Sequence, residues 1–358
     1  MLRFRNTVWL AILSLAALYC PYSTAEKVSY DELNNGDIIT VTLDQLLPTQ
    51  AVLSYDREYA RLSRYKDNLK HMYNDLCQIN GAKGVKKWGD ESQPTDPSSY
   101  TCSDKTGTHT GALNTVVVGP KKGSLYLTQG HHLFSTFWDM PNGGTSVPVT
   151  VKVAHNLFGS GEDFWPEMSN DQEVWLYDSK GEKIKASDLP EYIGQKQLKH
   201  DKYLSLVHFL NGISYSPPVK KSKDNKANSD SIIPFLELHW ALEVRKHMKV
   251  SDYNLNEPDE YAAALAEAAT VMVDLPDDAV IGQSTLTAKE MGKFSQVDSK
   301  ALAALINDKT SSFNHALAYR LAKKEKSTPK RLLEEEAAAK EKSQPSEATN
   351  DSEQPQSD

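Results

Sequence analysis

The chain is predicted to be an α+β protein with a helical extension on its C-terminal side. Three observations predict this. Short β-branched runs are confined to the first half. They are connected by hairpin turns as well as by helical stretches, which argues against a doubly wound sheet. Beyond about Leu198 the apolar pattern becomes helical throughout.

The elements follow in order. "IITVTL", residues 38 to 43, is β-branched and strand-like. "DQLLPTQ" reads as a short helical turn broken at Pro48. From Ser54 to Leu76, Tyr55, Tyr59, Leu62, Tyr65, Leu69, Met72 and Leu76 recur at three- and four-residue intervals, which predicts one helix. A polar loop between Cys77 and Cys102 follows. "LNTVVVG" and "SLYLT" are two strands joined at "PKKG", and the second runs into Gly130, where a helix opens. "SVPVTVKVAHN" is a further strand, and "EVWLYDSKGEKI" reads as a second hairpin. "KYLSLVHFLNGI", "IPFLELHWALEVRKHM", "DEYAAALAEAATVMVDL", "TAKEMGKFSQ" and "SKALAALINDKTSSFNHALAYRLAKK" read as helices, and "KRLLEEEAAAKEK" is helix-prone. The final stretch has no large apolar residue to bury and is expected to be disordered. The resulting division is 1–25 leader, 26–197 α+β domain, 198–325 helical extension and 326–358 charged tail.

The leader is read from Arg3 and Arg5, the apolar run Val8 to Leu18, and the small residues Ser23-Thr24-Ala25. Cleavage is expected between Ala25 and Glu26, with export to a periplasmic or extracellular space. Tyr19, bulky before Cys20, argues against lipidation there. No later run is long and apolar enough to span a bilayer. The formal charge of −8, more negative once Arg3 and Arg5 are removed, does not favour holding nucleic acid by the overall field. Two cysteines remain, Cys77 and Cys102, an even count in an oxidising compartment. Pairing is expected to remove about 3 kcal/mol of loop entropy from the unfolded chain.

The stretch "YLTQGHHLFSTFWDM" carries the chemistry. A strand that ends in glycine and opens a helix exposes free backbone N–H groups, a seat for phosphate or carboxylate. His131 and His132 add donors or an acid and a base, and the positive helix end favours their neutral forms. They are expected as an exposed polar corner with a general-base role. Adjacent helical positions point about 100° apart, so the pair does not make an obvious metal site. The cofactor is left open: a divalent metal is compatible with the residues, although no ligand spacing elsewhere supports one. Glu237, a carboxylate among apolar residues, is expected to need a partner or a raised pKa. Asp201 suits a cap for the helix starting at Lys202. Trp240 is expected in the core. Lys121, Lys122 and Lys220 to Lys226 read as solvated turn and loop.

"VTLDQLLPTQAVLSYDREY", "NTVVVGPKKGSLYLTQGHHLFSTFW", "EVWLYDSKG", "LKHDKYLSLVHFL" and "FLELHWALEVR" occur in this order over residues 38 to 250. In this the chain resembles the ParB-like nuclease family, a largely exported branch of the ParB/sulfiredoxin superfamily. The resemblance implies a ParB/sulfiredoxin-like mixed sheet and nuclease or phosphoester hydrolase chemistry. It places Pro48, Thr49 and Gln50 on the family's first motif, and Gly130, His131 and His132 on its central one. Asp201 and Tyr203 fall on a third motif, Glu237 and Trp240 on a helical one. Gln129 stands where the family commonly has Asp, and Leu204 where it tends to have Arg. The Arg-rich motif of chromosome-partitioning ParB is not evident.

Two functions fit these residues. In the first, His131, His132, Gln50 and Glu237 are catalytic toward a phosphoester held by Gly130, Gln129, Thr49, Asp201 and Tyr203. In the second, the chain is a non-catalytic module that binds an anionic ligand or partner.

Overall fold

The computed structural model describes residues 29–218 and 233–327. The expected leader, the lysine-rich loop around Lys220 to Lys226, the "KRLLEEE" helix and the acidic tail fall outside these residues.

A mixed sheet organises the first half. Its strands are β1 (Ile38–Thr42), β2 (Leu46–Pro48), β6 (Asn114–Val118), β7 (Leu125–Leu127) and β8 (Pro148–Asn156). Their spatial order is β1-β8-β6-β7-β2. The pairs β1/β8 and β6/β7 are antiparallel, whereas β8/β6 and β7/β2 are parallel. Two smaller ladders join β3 (Val52–Leu53) to β9 (Lys199–His200) and β4 (Val85–Lys87) to β5 (Thr101–Cys102). The second ladder carries the Cys77–Cys102 disulfide, with a Cα separation of 5.6 Å.

Alternation along β6 shows how the sheet is covered on both sides. Val116 and Val118 face the main core with Val149, Val151, Leu62, Phe134 and Phe137. Val117 faces the other way, into a small cluster with Phe164 and Met168. The main core is built by α1 (Tyr55–Asp67), α2 (Leu69–Ile79) and α3 (His131–Asp139), and α4 (Phe164–Asn170) covers the second face.

The expected single helix from Ser54 to Leu76 is two. Asn68 has extended backbone dihedrals, ends α1, and its side chain accepts from the Lys70 N–H to begin α2. Its local cap bond competes with helix continuation although the apolar stripe runs on. The residues after Thr42 form a single 3-10 turn and then β2, because Pro48 tolerates a strand end. "EVWLYDSKGEKI" forms a turn with a single bridge, Tyr177 to Lys183, in place of a full hairpin. "TAKEMGKFSQ" is not a helix: Glu290 bonds back to the Thr287 N–H and hydroxyl and closes a turn.

The remaining helices are α5 (Lys202–Phe209), α6 (Leu236–His247), α7 (Pro258–Asp274), α8 (Ser299–Asn307) and α9 (Ser312–Ser327). They continue the same apolar core, with Trp240, Tyr261 and Phe313 fully buried. Trp240 also donates its indole N–H to the Met291 carbonyl. Helix α9 lies along α1, where Tyr319 stacks on Tyr59.

Candidate functional site

Gly130 is the N-cap of α3 with φ 85 and ψ 8, a left-handed conformation that glycine adopts without penalty. The tight turn aims the first residues of α3 back at the segment between β2 and α1. His131 Nε2 accepts the Thr49 N–H at 3.1 Å, and His132 Nε2 accepts the Ser54 N–H at 2.9 Å. The Thr49 hydroxyl donates to the Leu127 carbonyl at 2.8 Å. Two imidazoles thus pin the segment from Thr49 to Ser54 to the helix start.

This differs from an exposed polar corner. His131 is 3% exposed and His132 is half-buried. Both are neutral, as expected, but burial is the first cause, not the helix dipole. Burial lowers His131 to about 3. For His132, burial and then the Arg57 charge lower it well below the ordinary histidine value. An Nε2 that accepts a backbone N–H carries no proton, so the neutral rings carry theirs on Nδ1. In this arrangement the Nε2 lone pairs are already committed, and the rings offer N–H donors in place of a general base.

A cavity of about 660 Å³ opens beside this corner. Gln50, Gln129, Gly130, His131 and His132 line it, and so do Arg57 and Arg61 from α1. At the start of α3 the Leu133 and Phe134 N–H groups bond the Gly130 carbonyl, so helix geometry leaves the N–H groups of His131 and His132 without an intrahelical acceptor. Arg57 Nε and Arg61 Nη1 are buried and have no hydrogen-bond partner among the described residues. Arg57 Nη1 pairs with Glu237 at 2.9 Å, and Arg61 Nε reaches Asp75 only at 3.8 Å. Burial and the neighbouring Arg57 lower the pKa of Arg61. An anion in the cavity would relieve both the unpaired donors and the repulsion between like charges.

The other expected residues are placed as follows. Gln50 lines the cavity, but its amide also donates to the Val52 carbonyl at 2.6 Å. Thr49 supports His131 from behind. Glu237 does not line the cavity; it holds Arg57 and sits 3.4 Å from His208 Nδ1. Burial would raise its pKa, but Arg57 and the histidine together carry it below the usual carboxylate range. Asp201 and Tyr203 lie apart from the cavity. Asp201 caps α5 through the N–H groups of Tyr203 and Leu204 and binds Arg245 at 2.7 Å. Tyr203 bonds the Met248 carbonyl and lies under the Arg245 guanidinium. Lys121 and Lys122 are exposed at the β6–β7 turn. Arg57 and Arg61 were not foreseen. Their four-residue spacing, continued by Arg64, puts a basic stripe on one helix face, a signal masked by the apolar stripe of the same helix.

For metal, His155, Asp171 and Glu173 are one group among the described residues whose ligand atoms all lie within 4.8 Å of one another. Asp171 and Glu173 also line the cavity.

The neutral histidines have a consequence for stability. His131 stands at about 3 against an ordinary 6.5, and His200 and His239, lowered by burial, stand at about 4. Between those values the unfolded chain binds protons that the folded chain refuses. Their contribution is therefore complete above 6.5 and is lost as pH falls through the folded values. Glu58, raised by burial to about 8 from 4.5, acts in the opposite sense. Its contribution is complete below 4.5 and is lost as pH rises through about 8. Urea unfolding across this range should show stability falling on both flanks. A profile that stays flat from neutral pH down to about pH 4 would contradict the buried neutral histidines.

A family model described as "Putative ParB-like nuclease" matches residues 39–246. No curated protein matches. Among solved structures, the crystal structure of protein Atu1540 from Agrobacterium tumefaciens is 20% identical, with a TM-score of 0.44. The likeness covers 67% of this chain and 92% of that one. With more than half of its length matched by the family model, the chain belongs to the ParB-like nuclease family.

Proposed function

We propose that the cavity beside Gly130 binds the phosphate of a phosphodiester or related phosphoester, and that the chain acts on it as a nuclease-like hydrolase. The observation that carries this reading is the pair of buried guanidinium nitrogens without partners, Arg57 Nε and Arg61 Nη1, on the cavity that also receives the start of α3. Guanidinium groups and helix N–H groups are complementary to phosphate oxygens. Family membership supplies the nuclease-like class. In this reading His131 and His132 position the corner and donate from Nδ1, and Gln50 and Gln129 are polar lining. Glu237 orients Arg57. Asp201 and Tyr203 support the site indirectly, by holding the start of α5 against Arg245 and Met248. The disulfide and the expected leader support export, so a substrate outside the cytoplasm is favoured over a nucleotide-driven reaction.

A second reading has its own observation. Gln129 stands where a carboxylate is common in the family and both Nε2 atoms are committed, which favours binding without turnover.

Arg61→Gln tests the site with least damage to the fold, because among the described residues Arg61 makes a single, long ion-pair contact. Inorganic phosphate and a short oligonucleotide should each bind at least about tenfold more weakly, about 1.4 kcal/mol. Wild-type affinity for both in a folded Arg61→Gln protein would refute the site. Turnover of a phosphodiester panel separates the two readings, since the module binds without cleaving.

A further inference from the structure

We propose that His155, Asp171 and Glu173 form a divalent-cation site on the wall of the cavity, opposite in charge to the arginines. The backbone builds this cluster in two steps. First, β8 pairs with β6 in register as far as Val116 with Val153, and the next pair is Val117 with His155. Ala154 is the extra residue of a bulge. Had the register of Val116 with Val153 continued unshifted, His155 would pair with Val118 and face the main core. With the bulge His155 shares the face of Val117, the side covered by α4.

Second, α4 ends in a reversal. The Asp171 N–H bonds the Glu167 carbonyl, Gln172 adopts φ 55, and the Glu173 N–H returns to the Met168 carbonyl at 2.8 Å. This is the left-handed helix end usually made with glycine. It carries Asp171 and Glu173 toward β8, where Glu173 Oε1 lies 3.5 Å from His155 Nε2. Glu173 Oε2 is buried and has no hydrogen-bond partner among the described residues. A buried carboxylate oxygen without a donor calls for a cation or a proton.

One imidazole nitrogen and two carboxylates suit Mn²⁺ or Zn²⁺ better than an ion that wants oxygen alone. Asp171 is exposed, and its carboxylate already lies within 4.8 Å of the other two donors. Three protein donors leave coordination positions open, and two of the three residues line the cavity. An ion here would face the same ligand as Arg57 and Arg61. That last step rests on the phosphate reading above; the ion site itself stands on its donors.

The test uses the full chain with its disulfide intact, stripped with chelator and titrated with Mn²⁺ and Zn²⁺ in phosphate-free buffer. Calorimetry, and the electron paramagnetic resonance signal of Mn²⁺, should show one ion per chain. Affinity should fall tenfold or more in Glu173→Gln and in His155→Gln, each with a wild-type circular dichroism spectrum. Asp171→Asn, at an exposed position, provides a third variant that should fold without difficulty and also bind more weakly. The proposal is overturned if neither ion binds the wild type, or if binding is undiminished in all three variants. Phosphate titration with and without Mn²⁺ then examines the neighbouring reading separately. Loss of phosphate affinity in Arg61→Gln with the ion still bound keeps both. An ion bound by a protein that takes no phosphate keeps the ion site and removes the phosphate reading.

Discussion

Asp56→Ala should destabilise the protein by about 3–5 kcal/mol, the cost of leaving a buried partner charge uncompensated. Asp56 is fully buried in the first turn of α1. Its Oδ1 accepts from Arg320 Nε at 2.9 Å and Nη2 at 2.6 Å, and its Oδ2 accepts from the Tyr261 hydroxyl at 2.9 Å. One carboxylate therefore joins α1 to α7 and α9, and the arginine it holds is itself largely buried. The variant strands the Arg320 guanidinium and opens a hydroxyl donor in the same place. The attraction between the two charges is offset by the cost of drying them, so deleting both should be far milder than deleting one. Asp56→Leu with Arg320→Met should recover most of the loss. Urea unfolding of the two single variants and the double variant measures this directly. A loss under about 1 kcal/mol for Asp56→Ala would mean that water reaches the pair and that α9 is held mainly by Tyr59 and Tyr319.

What was legible in the residues follows from how local each cause is. The strands β1, β6, β7 and β8 are β-branched runs, and the Gly130 corner is marked by a glycine between a strand pattern and a helix pattern. The break at Asn68 was not legible, because the apolar stripe passes through it unchanged and only a side-chain cap bond reveals it. The disulfide was legible from the even cysteine count left once a leader is expected. Arg57 and Arg61 were hidden by their own helix, whose apolar face drew the reading. Asp201 was legible as a helix cap, and the cap bonds observed leave it committed to structure. His155 was illegible in principle: its direction depends on a one-residue bulge at Ala154, and no spacing rule connects it to Asp171 or Glu173. Local propensities specify elements, but a site assembled by register is visible only once the strands are paired.

Gly130→Val should cost about 2–5 kcal/mol, summing a forbidden dihedral and an overpacked contact. At φ 85 a β-branched residue is a genuine outlier. A Cβ at this position would also lie 2.5 Å from Asn114 Oδ1 and 2.6 Å from its Cγ, so the Asn114 side chain must leave its place on the cavity wall. A functional loss should accompany the structural one. Displacing Gly130 moves the first turn of α3, on which His131 and His132 ride, and with it the bonds to Thr49 and Ser54. Phosphate affinity should fall by a factor of ten or more, about 1.4 kcal/mol. The two causes separate by a second substitution. Gly130→Ala with Asn114→Ala removes the collision and keeps the unfavourable φ, so about 1–2 kcal/mol should remain. Chemical denaturation gives the stability of each variant, and phosphate titration of the folded fraction gives the site. A Gly130→Val protein with unchanged stability and unchanged phosphate affinity would show that the corner neither shapes the fold nor holds the anion.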